Sequence, residues 1–384
     1  MQILTSIGQA LFTSFSMFWE ILWPLILGFT LSGIVQAVVS HQAMAKALGG
    51  DRPANLTLAT LFGIASSSCS YAAVARSIFL KGASFTSAMV FELASTNLVI
   101  ELGIILVVLM GWPFMAAEFV GGILMVIFIA VIFRLTLTPK LVQMARAHAE
   151  KGLMGRMEGH AAMDMSVSGG SFFSRLLSPR GFTAVSNFFV MDWASVWVDI
   201  ALGLLIAGAL AAWVPNSFWN AFFFSNNPTI AKIEGPLVGP LVAVFSFVCS
   251  VGNVPLAAVL WRGGISFGGV VSFIFADLII LPILDIYRKY YSWRIMGYIL
   301  LTFYVTMAAA GYVVEFLFQA LGIIPQDRHV AAITEGVQWN YTSILNIVFL
   351  LLAAVLVIRF IRTGGIPMLR MMNTPEHDMA QHHG

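Results

Sequence analysis

Charge is scarce in this chain. Asp, Glu, Lys and Arg make up 10% of its 384 residues, where soluble domains carry about 25%, so an ordinary water-soluble protein is excluded. The net charge of +2 identifies no partner, because in an apolar chain the placement of Lys and Arg matters more than their sum; no nucleic-acid partner is expected. Cysteine is nearly absent too. Cys69 and Cys249 stand too far apart in sequence to read as a disulfide framework or a CxxC metal pair. No histidine falls in a membrane-length apolar run, which leaves neither thiol an evident base. No GxxxxGK[ST] loop is present, so direct ATP drive from this chain is not expected, and neither is a cofactor. The first residues, MQILTSIGQALFTSF, lack a basic n-region and run on into apolar sequence, so no cleaved presequence is expected.

What the chain does have is hydrophobicity, at 59% of residues and a mean hydropathy of +0.89. This composition reads as a polytopic all-α protein crossing the cell (inner or plasma) membrane several times, with lipid as its surroundings. One stretch organises the rest. Ser66 to Glu101 reads SSSCSYAAVARSIFLKGASFTSAMVFELASTNLVIE, an apolar run broken by serines and a cysteine, turned at Lys81-Gly82, and resumed with Glu92, Asn97 and Glu101 inside it. Polar groups at that density in hydrophobic sequence are costly and point to a site. The stretch has an echo in Cys249-Ser250-Val251-Gly252-Asn253-Val254-Pro255, followed by Arg262-Gly263 and FIFADLII. Phe91-x-x-Ala94-Ser95 matches Phe273-x-x-Ala276-Asp277 at equal distances from Ser84 and Ser266. Two copies of one unusual segment imply a duplicated architecture with the site between them.

The periodicity predicts spans at about Phe12 to Val39, Ser84 to Met110 and Phe114 to Phe133, then Trp193 to Trp213, Ile265 to Asp285, Ile295 to Leu321 and Tyr341 to Ile361. Pro24 is expected near the start of the first span, where proline is tolerated. His41 to Leu48 reads as a short amphipathic surface segment, and Pro215 to Thr229 as an interfacial aromatic one. Leu56 to Leu80 and Gly235 to Trp261 are interrupted segments, and in the first each half is too short to cross about 30 Å of hydrocarbon. Between Arg134 and Arg180 lie seven basic residues against Glu150, Glu158 and Asp164, so this linker is expected on the cytoplasmic side, with TPKLVQMARAHAEKGLMGRME helical.

If both interrupted segments crossed the membrane, Arg288, Lys289, Arg294 and Arg359 would fall outside, against the positive-inside rule. If each returns to its own side, those residues become cytoplasmic, each half makes an odd number of crossings, and the halves are inverted relative to each other. The expected architecture is two inverted repeats, each of three transmembrane helices plus a broken or re-entrant helical hairpin, with one extra C-terminal transmembrane helix. The divisions are 1–137 for the first repeat, 138–187 for the linker, 188–322 for the second repeat, 323–363 for an external loop and the extra helix, and 364–384 for a disordered tail. Arg262 then lies outside and has no account from sequence.

The paired Cys-Ser motifs, each followed by a basic-Gly turn and a Phe-rich span, resemble the predicted-permease family that includes the organoarsenical efflux permeases (ArsP-type). The segment GPLVGPLVAVFSFVCSVGNVPLAAVLWRGGISFGGVVSFIFADLIILPILDIYRKYY is particularly similar to an uncharacterised branch, and the likeness runs from about Trp19 to Phe318. Cys249 to Pro255 follows the family's Cys-Ser-x-Gly-x-x-Pro pattern, with Val251 where a second cysteine is common. Ser70-Tyr71-Ala72-Ala73 lacks that second cysteine, the glycine and the proline. The resemblance implies a permease, of the efflux kind in its named members, and leaves open what is carried.

From the residues themselves, Cys69, Ser67, Ser68 and Ser70 on one motif, Cys249, Ser250 and Asn253 on the other, and Asn97 nearby are the expected substrate-binding groups. They suit either a soft metal or metalloid held by two thiols or a small sulfur- or oxyanion held by donors. Glu92 and Asp277, a third to a half of the way along their spans, are candidates for proton coupling. Asp192 and Asp199 are expected on one helix face, while Glu101, Glu118, Asp285 and Glu315 have weaker claims. The His/Met clusters at His160 to Met165 and His377 to His383 carry imidazole and thioether groups without imposed geometry, and no metal site is expected from them. A small-molecule or ion substrate is expected, association with further copies of the chain stays open, and the alternatives are a membrane-embedded thiol-dependent enzyme or a non-transporting scaffold subunit.

Overall fold

The structure is a computed structural model and describes residues 2–38, 48–65, 71–150, 167, 171–246, 250–328, 330, 336–337, 339–367 and 369. Every regular element among the described residues is helical. The first half contains α1 (Gln2–Val38), α2 (Pro53–Ala65), α3 (Tyr71–Leu80), α4 (Phe85–Asn97), α5 (Ile100–Met110) and α6 (Trp112–Thr136). A linker helix α7 (Pro139–Ala149) and a short α8 (Phe172–Leu176) follow. The second half contains α9 (Pro179–Trp213), α10 (Asn216–Phe222), α11 (Pro228–Val244), α12 (Ser250–Gly263), α13 (Phe267–Phe275), a 3-10 turn (Ala276–Ile279), α14 (Leu281–Tyr291) and α15 (Trp293–Ala320), with α16 (Tyr341–Arg362) at the end.

Six helical stretches are long and apolar enough to cross a membrane, and a seventh is the bent pair Phe267–Ile279 and Leu281–Tyr291, which meet at 41°. The short helices α2 and α3 have 13 and 10 residues, or about 20 and 15 Å at 1.5 Å per residue. Neither crosses about 30 Å of hydrocarbon alone. Three boundaries differ from the sequence reading. The second span of the first half is interrupted at Leu98 and Val99, whose backbone leaves the helix, and its counterpart passes through the 3-10 turn and continues to Tyr291. Helix α9 begins at Pro179, capped by Ser178, which accepts from the Gly181 amide, well before Trp193.

Helix α1 also starts earlier than expected, which puts Pro24 in mid-helix. Its ring disturbs the preceding turn. The amide of Trp23 donates to Asn346 Oδ1 at 2.9 Å and Asn346 Nδ2 donates to the Trp19 carbonyl at 2.7 Å, so an asparagine from α16 stands between two groups that an undisturbed helix would join. Such insertion is a recognised cause of helix bending. Trp19 Nε1 donates to Ser343 and Thr342 to Glu20 in the same neighbourhood. The extra helix thus braces the turn of α1 that Pro24 disturbs.

The helix order of the second half repeats that of the first. Ser84 and Ser266 cap α4 and α13 in the same extended conformation, each accepting an amide three residues on. Gly82 and Gly264 precede them at φ +115° and +112°, which only glycine adopts freely. Gly111 and Ser292, before α6 and α15, share φ near +90° and an extended ψ. The counterpart helices α1 and α9 pack along their whole length, and they run antiparallel: Ser14 meets Leu204, Ser32 meets Asp192, and Trp213 reaches Ser6. Helices α6 and α15 are antiparallel as well, with Thr136 on Tyr298 and Gly121 against Val314.

Candidate functional site

The polar core lies where α4, α12 and α14 come together. Helix α4 is buried over all thirteen of its residues, which places Glu92 and Asn97 away from lipid and water alike. The 3-10 turn presents Asp277, also fully buried. Tyr287, one helix further on, donates its hydroxyl to Glu92 Oε1 at 2.7 Å, a bond between the two halves of the chain. Tyr71, the first described residue after the first serine-cysteine motif, lies within electrostatic range of Tyr287. Ser250, the first described residue after Cys249, and Asn97 stand beside the Asp277 carboxyl, yet neither reaches it at hydrogen-bonding geometry. The ends of both motifs therefore flank one buried acidic centre.

Hydrogen bonding inside this centre is incomplete. Asn253 Oδ1 accepts from Ser246 at 3.1 Å, and Asn97 Nδ2 donates to Thr96 at 3.2 Å. Glu92 Oε2, both oxygens of Asp277, Asn97 Oδ1 and Asn253 Nδ2 are buried without a partner among the described residues. Buried polar atoms in folded proteins are usually paired, and each one that is not calls for a reason. No Lys or Arg among the described residues forms an ion pair with Glu92 or Asp277. An ionised carboxylate in mid-membrane costs about 2.5–3.5 kcal/mol by insertion scales, so such groups hold a proton or meet a cation or polar cargo.

The sequence-predicted residues divide into two sets. Glu92, Asp277, Asn97 and Ser250 are brought into one neighbourhood, with Asn253 about a turn beyond Ser250 on α12. Cys69, Ser67, Ser68, Ser70 and Cys249 lie outside the described residues, as does most of His41 to Leu48 and both His/Met clusters. Two contributors carry weak signals in the sequence. Glu118, on α6, is buried with neither oxygen partnered among the described residues and lies within electrostatic range of Asp277. Tyr287 belongs to the YRKYY run, ten residues past Asp277 and beyond the 3-10 turn, so only its aromatic polar character in an apolar helix marks it. Asp192 and Asp199 part company: Asp192 is buried and accepts from Ser32 and Gln36 at 3.2 and 3.3 Å, while Asp199 is half-buried. Glu101 stands within electrostatic range of Asp192 and packs on Gly28, forming a second, smaller polar seam between α1, α5 and α9. Among the described residues no three His, Cys, Asp or Glu side chains are placed to hold a metal ion.

Comparison with known proteins finds a family match over most of the chain. The ArsP-type family model, described as a predicted permease, matches residues 6–316. A protein of Mycobacterium tuberculosis (strain ATCC 25618 / H37Rv) named "Putative permease Rv2963" is 59% identical over 338 residues, covering 87% of this chain and 83% of the relative. No solved structure matches the chain.

Proposed function

The chain belongs to the ArsP-type predicted-permease family, and from that premise we propose that it is a secondary transporter working by alternating access between two inverted repeats. The antiparallel pairing of α1 with α9 and of α6 with α15 supports the inversion, since counterpart helices related by a two-fold axis in the membrane plane run in opposite directions. The repeats correspond to 1–137 and 188–322, joined by the basic linker at 138–187, with 323–363 as the external loop and extra helix and 364–384 as a cytoplasmic tail. The cargo is a soft metal or metalloid species or a small sulfur- or oxyanion. It is held between Cys69, Ser67, Ser68 and Ser70 on one side and Cys249, Ser250, Asn253 and Asn97 on the other, and moves outward across the inner membrane.

The observation that carries this reading is the set of polar atoms on Glu92, Asp277, Asn97 and Asn253 that are buried without a partner among the described residues. A scaffold subunit gains nothing from that arrangement, because each such atom destabilises the fold by about 1–3 kcal/mol. Glu92 and Asp277 carry the coupling proton. Tyr287 fixes one oxygen of Glu92, and the other has no partner among the described residues.

The test is transport by purified protein in sealed vesicles. A thermal-shift screen against arsenicals, copper, zinc, sulfite and thiosulfate selects the solute, since a ligand of the folded state raises its stability. Glu92→Gln and Asp277→Asn are expected to abolish movement driven by a pH gradient and to spare solute exchange. Replacing both cysteines by serine is expected to alter uptake; equal uptake by that double variant sinks the thiol role and leaves the permease. Turnover of a substrate in detergent, where no gradient exists, overturns the transporter in favour of an enzyme.

A further inference from the structure

A second polar cavity lies away from the acidic centre, between the start of α11, the α12–α13 turn, the end of α15 and the chain beyond it. Its volume is about 360 Å3, and Lys232, Trp261, Ser266, Glu315, Gln319 and Arg328 are among its lining residues. Its position along the membrane normal follows from α15. The first turns of that helix meet Thr136 near the linker through Tyr298, whereas Glu315 and Gln319 are about five to six turns on, so the cavity opens at the face opposite α7.

The cavity's charges are arranged unequally. Arg328 stacks over the Trp261 ring at 4.0 Å and donates Nη1 to the carbonyls of Trp261 and Ile265 at 2.6 and 2.8 Å. Those bonds fix the guanidinium while its Nη2 and Nε donors have no protein partner among the described residues. Burial pulls its pKa below the ordinary arginine value, and the Glu315 carboxylate within electrostatic range only partly offsets that. Lys232 Nζ is held by Gln319 at 3.0 Å. Glu315, the one carboxylate lining the cavity among the described residues, is committed elsewhere: its Oε2 accepts from the Gly268 amide at 2.6 Å, in the first turn of α13, with Ser266 beside it. It lies within electrostatic range of Lys232 and Arg328 but forms no ion pair with either among the described residues. Asp327, next in the chain, does not line the cavity.

Two anchored cations with spare donors, one of them a planar guanidinium suited to bidentate contact with an oxyanion, share the space with a carboxylate already bonded to a helix start. We propose that this cavity binds a small tetrahedral oxyanion of the phosphate or sulfate type, through Arg328 and Lys232, at the membrane face remote from the linker. The bound group comes either from a free anion in solution or from the phosphate of an anionic lipid headgroup, since both offer the same oxygens.

The inference does not rest on transport, and its test is made on the full chain without a gradient. Inorganic phosphate and sulfate are titrated against protein in nanodiscs of phosphatidylcholine at constant ionic strength, read by tryptophan fluorescence, with Trp261 beside the guanidinium as the reporter, and by thermal shift. Saturable binding is expected, weakened about tenfold or more by Arg328→Gln and by Lys232→Gln, and unchanged by Arg262→Gln at an exposed arginine nearby. Glu315→Gln, which keeps an acceptor for the Gly268 amide and removes the negative charge, is expected to tighten binding, so the proposal stays open to refutation even if Arg328→Gln does not fold. Nanodiscs containing phosphatidylglycerol compete with phosphate if the source is lipid and leave it unaffected if the source is free anion. Absence of saturation, or equal affinity in the Lys232 and Arg328 variants, overturns the site.

Discussion

The two interrupted spans, α4 with α5 and α13 with α14, share a frame and differ in what it holds. Both begin at a serine cap behind a left-handed glycine and end before a residue with φ near +90°. Between those points the first breaks over Leu98 and Val99 and carries Glu92 and Asn97, while the second inserts a 3-10 turn carrying Asp277 where the first has Ser95. Packing differs as well. Helix α1 lies against α5, whereas its counterpart α9 lies against α12 and makes no comparable contact with α14. The turn geometry thus recurs in the two segments, and the polar residues carried between the turns differ.

The frame itself is where substitution should cost most. Gly63 on α2 faces α4, and Gly239 on α11 faces α13, each so closely that an added methyl group meets backbone. At Gly63 it would stand 2.6 Å from Ala94 Cβ and 2.7 Å from the Phe91 carbonyl; at Gly239 it would meet the Gly269 carbonyl and Ser272 Oγ. Overpacking of this kind costs about 1–3 kcal/mol and more where backbone cannot yield. Gly63→Ala and Gly239→Ala are each expected to lower the thermal midpoint in detergent by several degrees. Gly297→Ala, at an exposed helical site with nothing within 4 Å, should raise it slightly, since alanine is favoured over glycine in a helix by up to about 1 kcal/mol. A large cost in only one half would break the equivalence of the two frames.

A smaller effect separates two tyrosines one turn apart. Tyr287 donates to Glu92 across the halves, while the buried Tyr291 hydroxyl has no partner among the described residues. Tyr287→Phe leaves the Glu92 carboxyl without its donor and is expected to destabilise by about 1–3 kcal/mol. Tyr291→Phe removes an unsatisfied group and is expected to be neutral or stabilising. Thermal unfolding of the two variants side by side decides it, and equal losses would mean that the contact between Tyr287 and Glu92 does not join the halves.

How much of this was legible in the sequence follows from the range of the forces involved. The membrane-length helices, the amphipathic linker helix at Pro139–Ala149 and the gathering of Glu92, Asp277, Asn97 and Ser250 all rest on hydropathy, local spacing and the internal echo, which a sequence displays. The early start of α9 was signalled by Ser178-Pro179, a cap followed by an N1 proline, but apolar content marked only the later part of the helix. The break at Leu98 and Val99 contains neither glycine nor proline, so no local breaker in the sequence marks it. Asn346 acts on a turn more than three hundred residues away, and Tyr287 reaches Glu92 over a similar kind of gap. Long-range hydrogen bonds leave no local trace, so the residues that complete the centre were harder to find than those that begin it.

The smallest expected effect sharpens the comparison from the other side. Asp285 lies eight residues beyond Asp277 on the same bent segment, but it is 45% exposed and pairs with Arg288 and Lys289 at 2.6 and 2.8 Å. An exposed ion pair gains little, because water already solvates both charges and long side chains lose freedom in forming it; such pairs contribute about 0–1 kcal/mol. Asp285→Asn is therefore expected to change the thermal midpoint by a degree or two at most, less at high salt, and to leave gradient-driven uptake intact. Asp277→Asn should do the reverse, sparing the fold while ending the response to a pH gradient, because the group it removes has no cation to balance it. If both substitutions instead acted alike on uptake, burial without a counter-charge would lose its standing as the mark of the coupling site.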